Sequence, residues 1–297
     1  MNYKSLGRTG IDISTVSYGG IVSAGFYSHV SYPELDQGAS DRFVGYAIEH
    51  GVNYFDVAPS YGNAEEQLGN SLKPYRKSIH LACKTNKRDR ICAEEDLRNS
   101  LEKLHTDHFD VYQLHGISSM NDVDRVFGPR GAMEFIRDLK QRGIADNIGF
   151  TAHNEDAALS MIERYDFDTV LFPFNWFMHM EHGMGSRLLR AAKKRNMGVL
   201  CMKAFIERKW NDDAERAASR YPKSWCKPID VDDEAFGMAA MRYAHWLGVD
   251  TLIPPGNFDS FRFAVRYADK CLSEPFSETD RAFLEEKLTD VRGREFF

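Results

Sequence analysis

The feature that most constrains this chain is an alternation repeated eight times. Short runs rich in apolar, β-branched and aromatic residues fall at 16–19, 52–55, 79–84, 109–114, 147–151, 169–174, 198–203 and 250–254. Between and after them, apolar residues recur at helical spacing over 41–50, 64–72, 94–104, 132–142, 156–164, 186–195, 234–246 and 260–268. A strand that reaches the next strand through a helix must run parallel to it, because the crossover returns the chain to its starting end. Eight such units within 297 residues predict a closed (β/α)8 barrel rather than an open doubly wound sheet. No Gly-x-Gly-x-x-Gly follows any strand, so the fingerprint of the open dinucleotide-binding sheet is missing. No low-complexity linker interrupts the pattern, and residues 1–297 read as a single domain.

The punctuation agrees with this division. Gly51, Gly143 and Gly248 stand at or near helix ends, where a left-handed residue is commonly needed. Residues 3–15 read as a hairpin turning at Thr9-Gly10, and a last helix over 278–288 is capped by Ser277 with Asp280 three residues on. Two loops exceed the usual length, 21–40 after the first strand and 206–233 after the seventh. Both are aromatic and are expected to rise over the barrel mouth.

Charge and composition exclude several classes. The net charge of -6 provides no basic stripe for phosphates, which argues against nucleic acid. No apolar run is long enough to span a bilayer, and the start, MNYKSLGRTG, lacks the apolar core of a signal peptide. The expectation is a cytoplasmic protein without a membrane partner. Cys83, Cys92, Cys201, Cys226 and Cys271 are odd in number and widely spaced, so they read as reduced thiols, with no disulfide framework and no zinc spacing.

Barrel enzymes keep their chemistry at the C-terminal ends of the strands. There the second strand delivers Asp56, with Tyr61 in the following loop; the third delivers Lys84 and the fourth His115. Taken singly, Asp56 can cap a loop, Lys84 can be a solvated rim charge, His115 a satisfied half-buried histidine, and Tyr61 packing. Arriving together at one mouth, they make a site for proton transfer. An ammonium beside a phenol favours the phenolate, so contact with Lys84 is expected to lower the pKa of Tyr61. Asp56 supplies the counter-charge that an ammonium needs in a dry site. His115 can donate a hydrogen bond to a substrate oxygen. Asn63 with Glu66 reads as the capping pair of the helix that follows Tyr61.

The run FDVAPSYG-x-AEEQLG, with HLACKT, YQLHG and the opening LGRTGIDIS, resembles the aldo-keto reductases over nearly the whole length. The resemblance implies that Asp56, Tyr61, Lys84 and His115 form the catalytic tetrad, with Tyr61 as general acid in carbonyl reduction. It implies a nicotinamide cofactor, NADP(H) in most members. On the cofactor side, GFTAHN is similar to the segment that holds the nicotinamide carboxamide, which implicates Thr151, His153 and Asn154; Asn154 also reads as a helix N-cap. Leu171 falls near the place of the family's Gln, and Met202 or Lys203 near the place of its ring-stacking Tyr. After the eighth strand the family's Lys-Ser pair for the 2′-phosphate is absent. Gly256 and Asn257 stand there instead, followed by Asp259, Arg262 and Arg266. A carboxylate in that first turn opposes an anion and the two arginines favour it, so NAD(H) stays open beside NADP(H).

Phe26, Tyr27, Trp176, Phe177, His179 and Trp210 are candidate walls of a substrate pocket. The residues do not select one substrate among aldehydes, ketones and sugars. Two alternatives remain. One is a cofactor-independent sugar lyase or isomerase on the same barrel, and the other is a cofactor-binding regulatory subunit of a membrane channel, a use known in the family.

Overall fold

Eight parallel strands follow one another around one sheet in a computed structural model that describes residues 1–294. They are β1 (Tyr18–Gly19), β2 (Tyr54–Asp56), β3 (His80–Thr85), β4 (Phe109–Ile117), β5 (Ala145–Ala152), β6 (Thr169–Phe172), β7 (Gly198–Met202) and β8 (Thr251–Ile253). The last strand meets the first. Val16 bridges Leu252 in parallel, Ser17 N donates to Leu252 O at 2.8 Å, and Leu252 N donates to Thr15 O at 3.0 Å. The expected (β/α)8 barrel is the fold of this chain.

The helices between strands are α1 (Gln37–Glu49), α2 (Ala64–Leu72), α3 (Arg90–Lys103), α4 (Met120–Phe127), α5 (Met133–Ile136), α6 (Glu155–Arg164), α7 (Trp176–His182), α8 (Ser186–Lys194), α9 (Asp213–Ala218), α10 (Glu234–Leu247) and α11 (Phe258–Ser273), with α12 (Glu278–Val291) last. Alternation along the strands puts every second side chain inside. Tyr54, Ala82, Val111, Leu171, Leu200 and Ile253 fill the interior, and Leu6 and Ile13 of the N-terminal hairpin close its lower end. The hairpin pairs Tyr3–Ser5 with Asp12–Ser14, and its Gly7 (φ 52°) lies so near β7 that a Cβ there would stand 2.2 Å from Gly198 N. A larger apolar layer lies between strands and helices.

Several local readings need correction. The helix expected over 132–142 is α-helical only across α5; beyond Ile136 the chain turns with i to i+3 hydrogen bonds, Asp138 N to Phe135 O and Leu139 N to Ile136 O. Three helices, α4, α7 and α9, are additional. Ser119 and Asp122 form a capping box that starts α4, and Asn175 caps α7 by accepting from Phe177 N and Met178 N. The loop after β1 ends earlier than expected because Asp36 caps α1. That loop carries a tiny hairpin, Phe26–Tyr27 with Val30–Ser31. The loop after β7 is likewise structured: Ile206–Arg208 pairs with Lys227–Pro228, and α9 lies between. The capping box of Ser277 and Asp280 forms as expected, and Gly51, Gly143 and Gly248 all take positive φ.

Candidate active site

Period-two alternation builds the floor of the site. Asp56 follows the interior Tyr54 by two residues, Lys84 follows Ala82, and Gln113 and then His115 follow Val111. Lys84 is fully buried and Asp56 is 2 % exposed. The Lys84 ammonium donates to Asp56 Oδ1 in a short contact and to Val57 O at 3.2 Å. The other carboxylate oxygen, Oδ2, accepts from Gln113 Nε2 at 2.9 Å. Lys84 Nζ lies 5.2 Å from the centre of the Tyr61 ring, and the Tyr61 and His115 rings meet edge to face at 5.7 Å. The structure thus brings together Asp56, Tyr61, Lys84 and His115.

The loop that carries Tyr61 is held from above. Gly62 takes φ 62°, and any Cβ there would stand 1.7 Å from Phe26 O. Asn63 Oδ1 accepts from Phe26 N at 2.9 Å, and Asn63 N donates to Phe26 O at 3.4 Å. This corrects the expected capping pair: Asn63 makes no side-chain cap on α2, because the loop after β1 takes its oxygen instead. Glu66 pairs with Lys103 at 3.4 Å.

Electrostatics assign protonation. Burial holds the Tyr61 phenol above its ordinary range, and the Lys84 ammonium pulls it back only part of the way. The net direction is up, against the expected lowering, so Tyr61 stands as a phenol. Burial alone would lower Lys84, but Asp56 and Tyr61 outweigh it and hold the ammonium above its usual range. Burial, with Lys84, His153 and Arg88, drives His115 well below the usual histidine range, so its ring is neutral. Its Nδ1 lies 3.4 Å from Ser60 Oγ. A neutral imidazole, a phenol and an ammonium at one mouth can donate protons and hydrogen bonds to an oxygen that gains negative charge.

Thr151 is buried at the end of β5, where its Oγ1 accepts from Gly116 N at 2.7 Å. His153 N donates to Ile117 O at 2.9 Å, and burial pushes its ring down to about 3. Asn154 does cap α6, accepting from Ala157 N at 2.9 Å. Met202 ends β7 beside the interior cluster that contains Leu171. Lys203, at φ 64°, gives its carbonyl to Asn175 Nδ2 at 2.8 Å. Gly256 packs so closely on Ile21 that a Cβ would stand 2.3 Å from it. Asn257 caps α11, and Asp259 is paired with Arg220 at 2.9 Å. Arg262 and Arg266 are exposed on α11 and border a groove of about 670 Å³ that none of the four central side chains lines.

Among the expected pocket walls, Phe26 is exposed, and Tyr27 is buried with its hydroxyl accepting from Trp225 Nε1 in a short contact. Of the others, Trp176, Phe177 and Trp210 are interior groups and His179 is half-buried. Trp176 is 1 % exposed, stacks edge-on with Phe236 and donates to Ile206 O at 3.1 Å. Phe177 is buried, His179 bonds the Tyr243 hydroxyl at 2.6 Å, and Trp210 is buried with its indole donating to Ser224 O at 2.9 Å. Trp176 and Trp210 pack within the fold, while Trp225, 65 % exposed, is the tryptophan beside Tyr27.

Two further residues hold the site. Gln113 was legible only as a polar side chain on the inward face of FDVYQLHG. Arg88 donates to His115 O at 2.9 Å, Gly116 O at 3.0 Å and Asp122 Oδ1 at 2.9 Å, clamping the turn behind His115. It lies in the charged run KTNKRDR, which offers no sign of which charge is buried.

The family model described as Aldo/keto reductase family matches residues 29–225, more than half of the chain. An uncharacterized oxidoreductase, YqkF, of Bacillus subtilis is 27% identical over 191 residues, 60% of this chain and 57% of that protein. The D-arabinose 1-dehydrogenase of Saccharomyces cerevisiae is 27% identical over 243 residues, 70% of each. The match to the Bacillus protein therefore spans less than two thirds of that relative's length. The holo form of aldo-keto reductase AKR11C1 from Bacillus halodurans superimposes with a TM-score of 0.70 at 17% identity, covering 100% of this chain and 98% of that one, a likeness of fold. With the family model matched across the tyrosine loop, the lysine strand and the histidine strand, this chain belongs to the aldo/keto reductase family.

Proposed function

We propose that this protein moves hydride between a nicotinamide cofactor and the carbonyl carbon of an aldehyde, ketone or sugar, with Tyr61 giving the proton to the oxygen. The observation that carries this reading is the buried Lys84–Asp56 pair set against a phenol that stays protonated. The nicotinamide supplies the hydride; the protein supplies the acid and the electrostatics. As negative charge gathers on the substrate oxygen, Tyr61 releases its proton, and the Lys84 ammonium stabilises the phenolate left behind. Neutral His115, its Nδ1 3.4 Å from Ser60 Oγ, orients the same oxygen. In alcohol oxidation the steps reverse and Tyr61 acts as base. The name of the yeast relative favours a sugar among the substrates.

The first turn of α11 fits a nucleotide phosphate. Asn257 Nδ2 at its cap and Ser260 Oγ in the turn are buried polar atoms without a partner among the described residues, and Arg220 already neutralises Asp259. Gly256, Asn257 and Arg262 would hold the adenosine phosphates, and Thr151, His153, Asn154, Met202 and Lys203 the nicotinamide end. Pairing of Asp259 with Arg220 favours NADP(H) over NAD(H).

Titration with NADPH and NADH, followed by tryptophan fluorescence, tests the cofactor; the Tyr61→Phe variant tests the acid. Tyr61→Phe is expected to bind nucleotide within about twofold of wild type and to lose about 10³-fold in turnover. Retained turnover overturns the role of Tyr61. Failure of both nucleotides to bind brings the cofactor-independent lyase or isomerase forward.

A further inference from the structure

We infer that Gln113 is a positioning residue of this site: it fixes the Asp56 carboxylate, and through it the Lys84 ammonium, against Tyr61. This rests on the reading of Tyr61 as the proton donor. Gln113 is fully buried on β4, in register with Lys84 on β3. Its Nε2 holds Asp56 Oδ2 at 2.9 Å while Lys84 holds Oδ1. One donor on each oxygen, from two different strands, stops the carboxylate from turning about its own axis. With that plane fixed, Lys84 Nζ has one place to be, between Asp56 Oδ1, Val57 O and the Tyr61 ring.

Stability does not account for an amide here. Gln113 Oε1 is buried and has no partner among the described residues. An unmet buried acceptor destabilises the fold, whereas an apolar side chain would join the interior cluster that holds Val111 and Leu171 without that cost. The neighbouring strands approach closely here. A Cβ on Gly149, the partner of Gln113 on β5, would stand 3.3 Å from Gln113 Cγ and 2.1 Å from Thr169 Oγ1. The fold therefore accepts a polar group that burial disfavours. Its one bond goes to the counter-ion of the site.

The titratable and charged groups that act on these four side chains are Tyr54 on β2, Cys83 on β3, Arg88 in the loop after β3, His153 after β5, and Tyr27 in the loop after β1. None of them replaces the Gln113 bond to Asp56.

The test is Gln113→Met, which keeps the shape and removes the donor. Freed on one side, the carboxylate swings, the ammonium follows it, and burial then acts on the phenol with less opposition. For alcohol oxidation, which needs the phenolate, the acidic limb of the kcat profile is expected to move up by about one pH unit, with kcat near neutrality falling about tenfold and nucleotide affinity held within about twofold. A second readout needs no turnover. In protein labelled with 15N at lysine Nζ, the Lys84 ammonium, assigned by its loss in Lys84→Met, is expected to exchange its protons at least about tenfold faster in Gln113→Met. A profile and an exchange rate that both match wild type overturn the inference. If wild type shows no nicotinamide turnover, the functional reading fails, and the exchange rate still decides Gln113. Should Gln113→Met not fold, Gln113→Asn, an amide too short to reach Asp56, is expected to give the same two changes.

Discussion

Two lysines are buried among the described residues, and they differ in almost everything but depth. Lys84, on a barrel strand, is fully buried; Lys223, in the loop after β7, is 4 % exposed. Lys84 faces a carboxylate, and its ammonium is held above the usual range although burial works against it. Lys223 meets backbone carbonyls instead of a carboxylate. Its Nζ donates to Val22 O and Ala24 O, each at 3.1 Å, and sits 5.7 Å above the centre of the Tyr32 ring. Burial pushes its amine down to about 7, with the Glu34 charge resisting weakly. Equal depth thus gives opposite shifts, because a counter-charge compensates desolvation and carbonyl groups compensate only part of it. The first lysine holds its charge beside Tyr61. The second titrates in the ordinary range and joins the two long loops, a joint that Trp225 and Tyr27 repeat.

The largest effect that this contrast predicts is for Lys84→Met. Removal of the ammonium leaves the Asp56 carboxylate buried with Gln113 as its remaining side-chain donor. Breaking a buried pair on one side costs roughly 3–5 kcal/mol. Loss of the charge beside Tyr61 removes turnover by roughly 10²–10⁴-fold. A urea titration and an assay of reduced nicotinamide measure both. If Lys84→Met unfolds no more readily than Lys223→Met, the two amines are not in different electrostatic states.

Lys223→Met should differ in the pH dependence of stability rather than in its size at one pH. The folded amine has a pKa near 7, lowered from 10.5. Between those values the unfolded chain binds a proton that the folded chain does not, so this group makes wild type more stable as pH rises across that window. The contribution is at most about 1.4 kcal/mol per pH unit. In Lys223→Met it is gone, while the lost bonds to Val22 O and Ala24 O add an offset that does not vary with pH. Urea midpoints taken across the window should therefore show the variant losing ground to wild type as pH rises, with little change in the difference below about pH 7. A constant difference would mean that Lys223 stays charged in its pocket.

The same contrast shows what was legible in the chain. Period-two alternation places Asp56, Lys84 and His115 inside one mouth, and the eight repeats place that mouth on a barrel, because both follow from local geometry. Gln113 lies in that alternation too, but a sequence does not say which oxygen its amide will meet. Lys223, in YPKSWCK, reads as a surface lysine and is buried only because two loops distant in the chain pack together. Trp176 and Trp210 were expected at the pocket wall for a related reason: aromatic character does not separate a lining ring from a core one, and here both indoles bond backbone carbonyls within the fold. Asn63 has the spacing of a cap, yet a loop from elsewhere competes for its oxygen and wins. Ser119 and Asp122, by contrast, carried a readable signal for α4.

The smallest effect sharpens the contrast most. Glu34 is exposed, and it is the charge that raises Lys223 against burial. Glu34→Gln should lower the onset of the Lys223 window by a few tenths of a pH unit, on the order of what an exposed charge contributes. The change should fade as salt rises, because at about 0.15 M the screening length is about 8 Å. The measurement is the difference in urea midpoint between Glu34→Gln and wild type, followed with pH at low and high salt, with Lys223→Met as the background in which Glu34→Gln should do nothing. A small, salt-sensitive shift that vanishes in that background means that Glu34 is a distant neighbour and Lys223 has no true counter-ion. A shift of a full unit that survives salt would make Glu34 to Lys223 what Asp56 is to Lys84, and the two buried amines would then differ in degree alone.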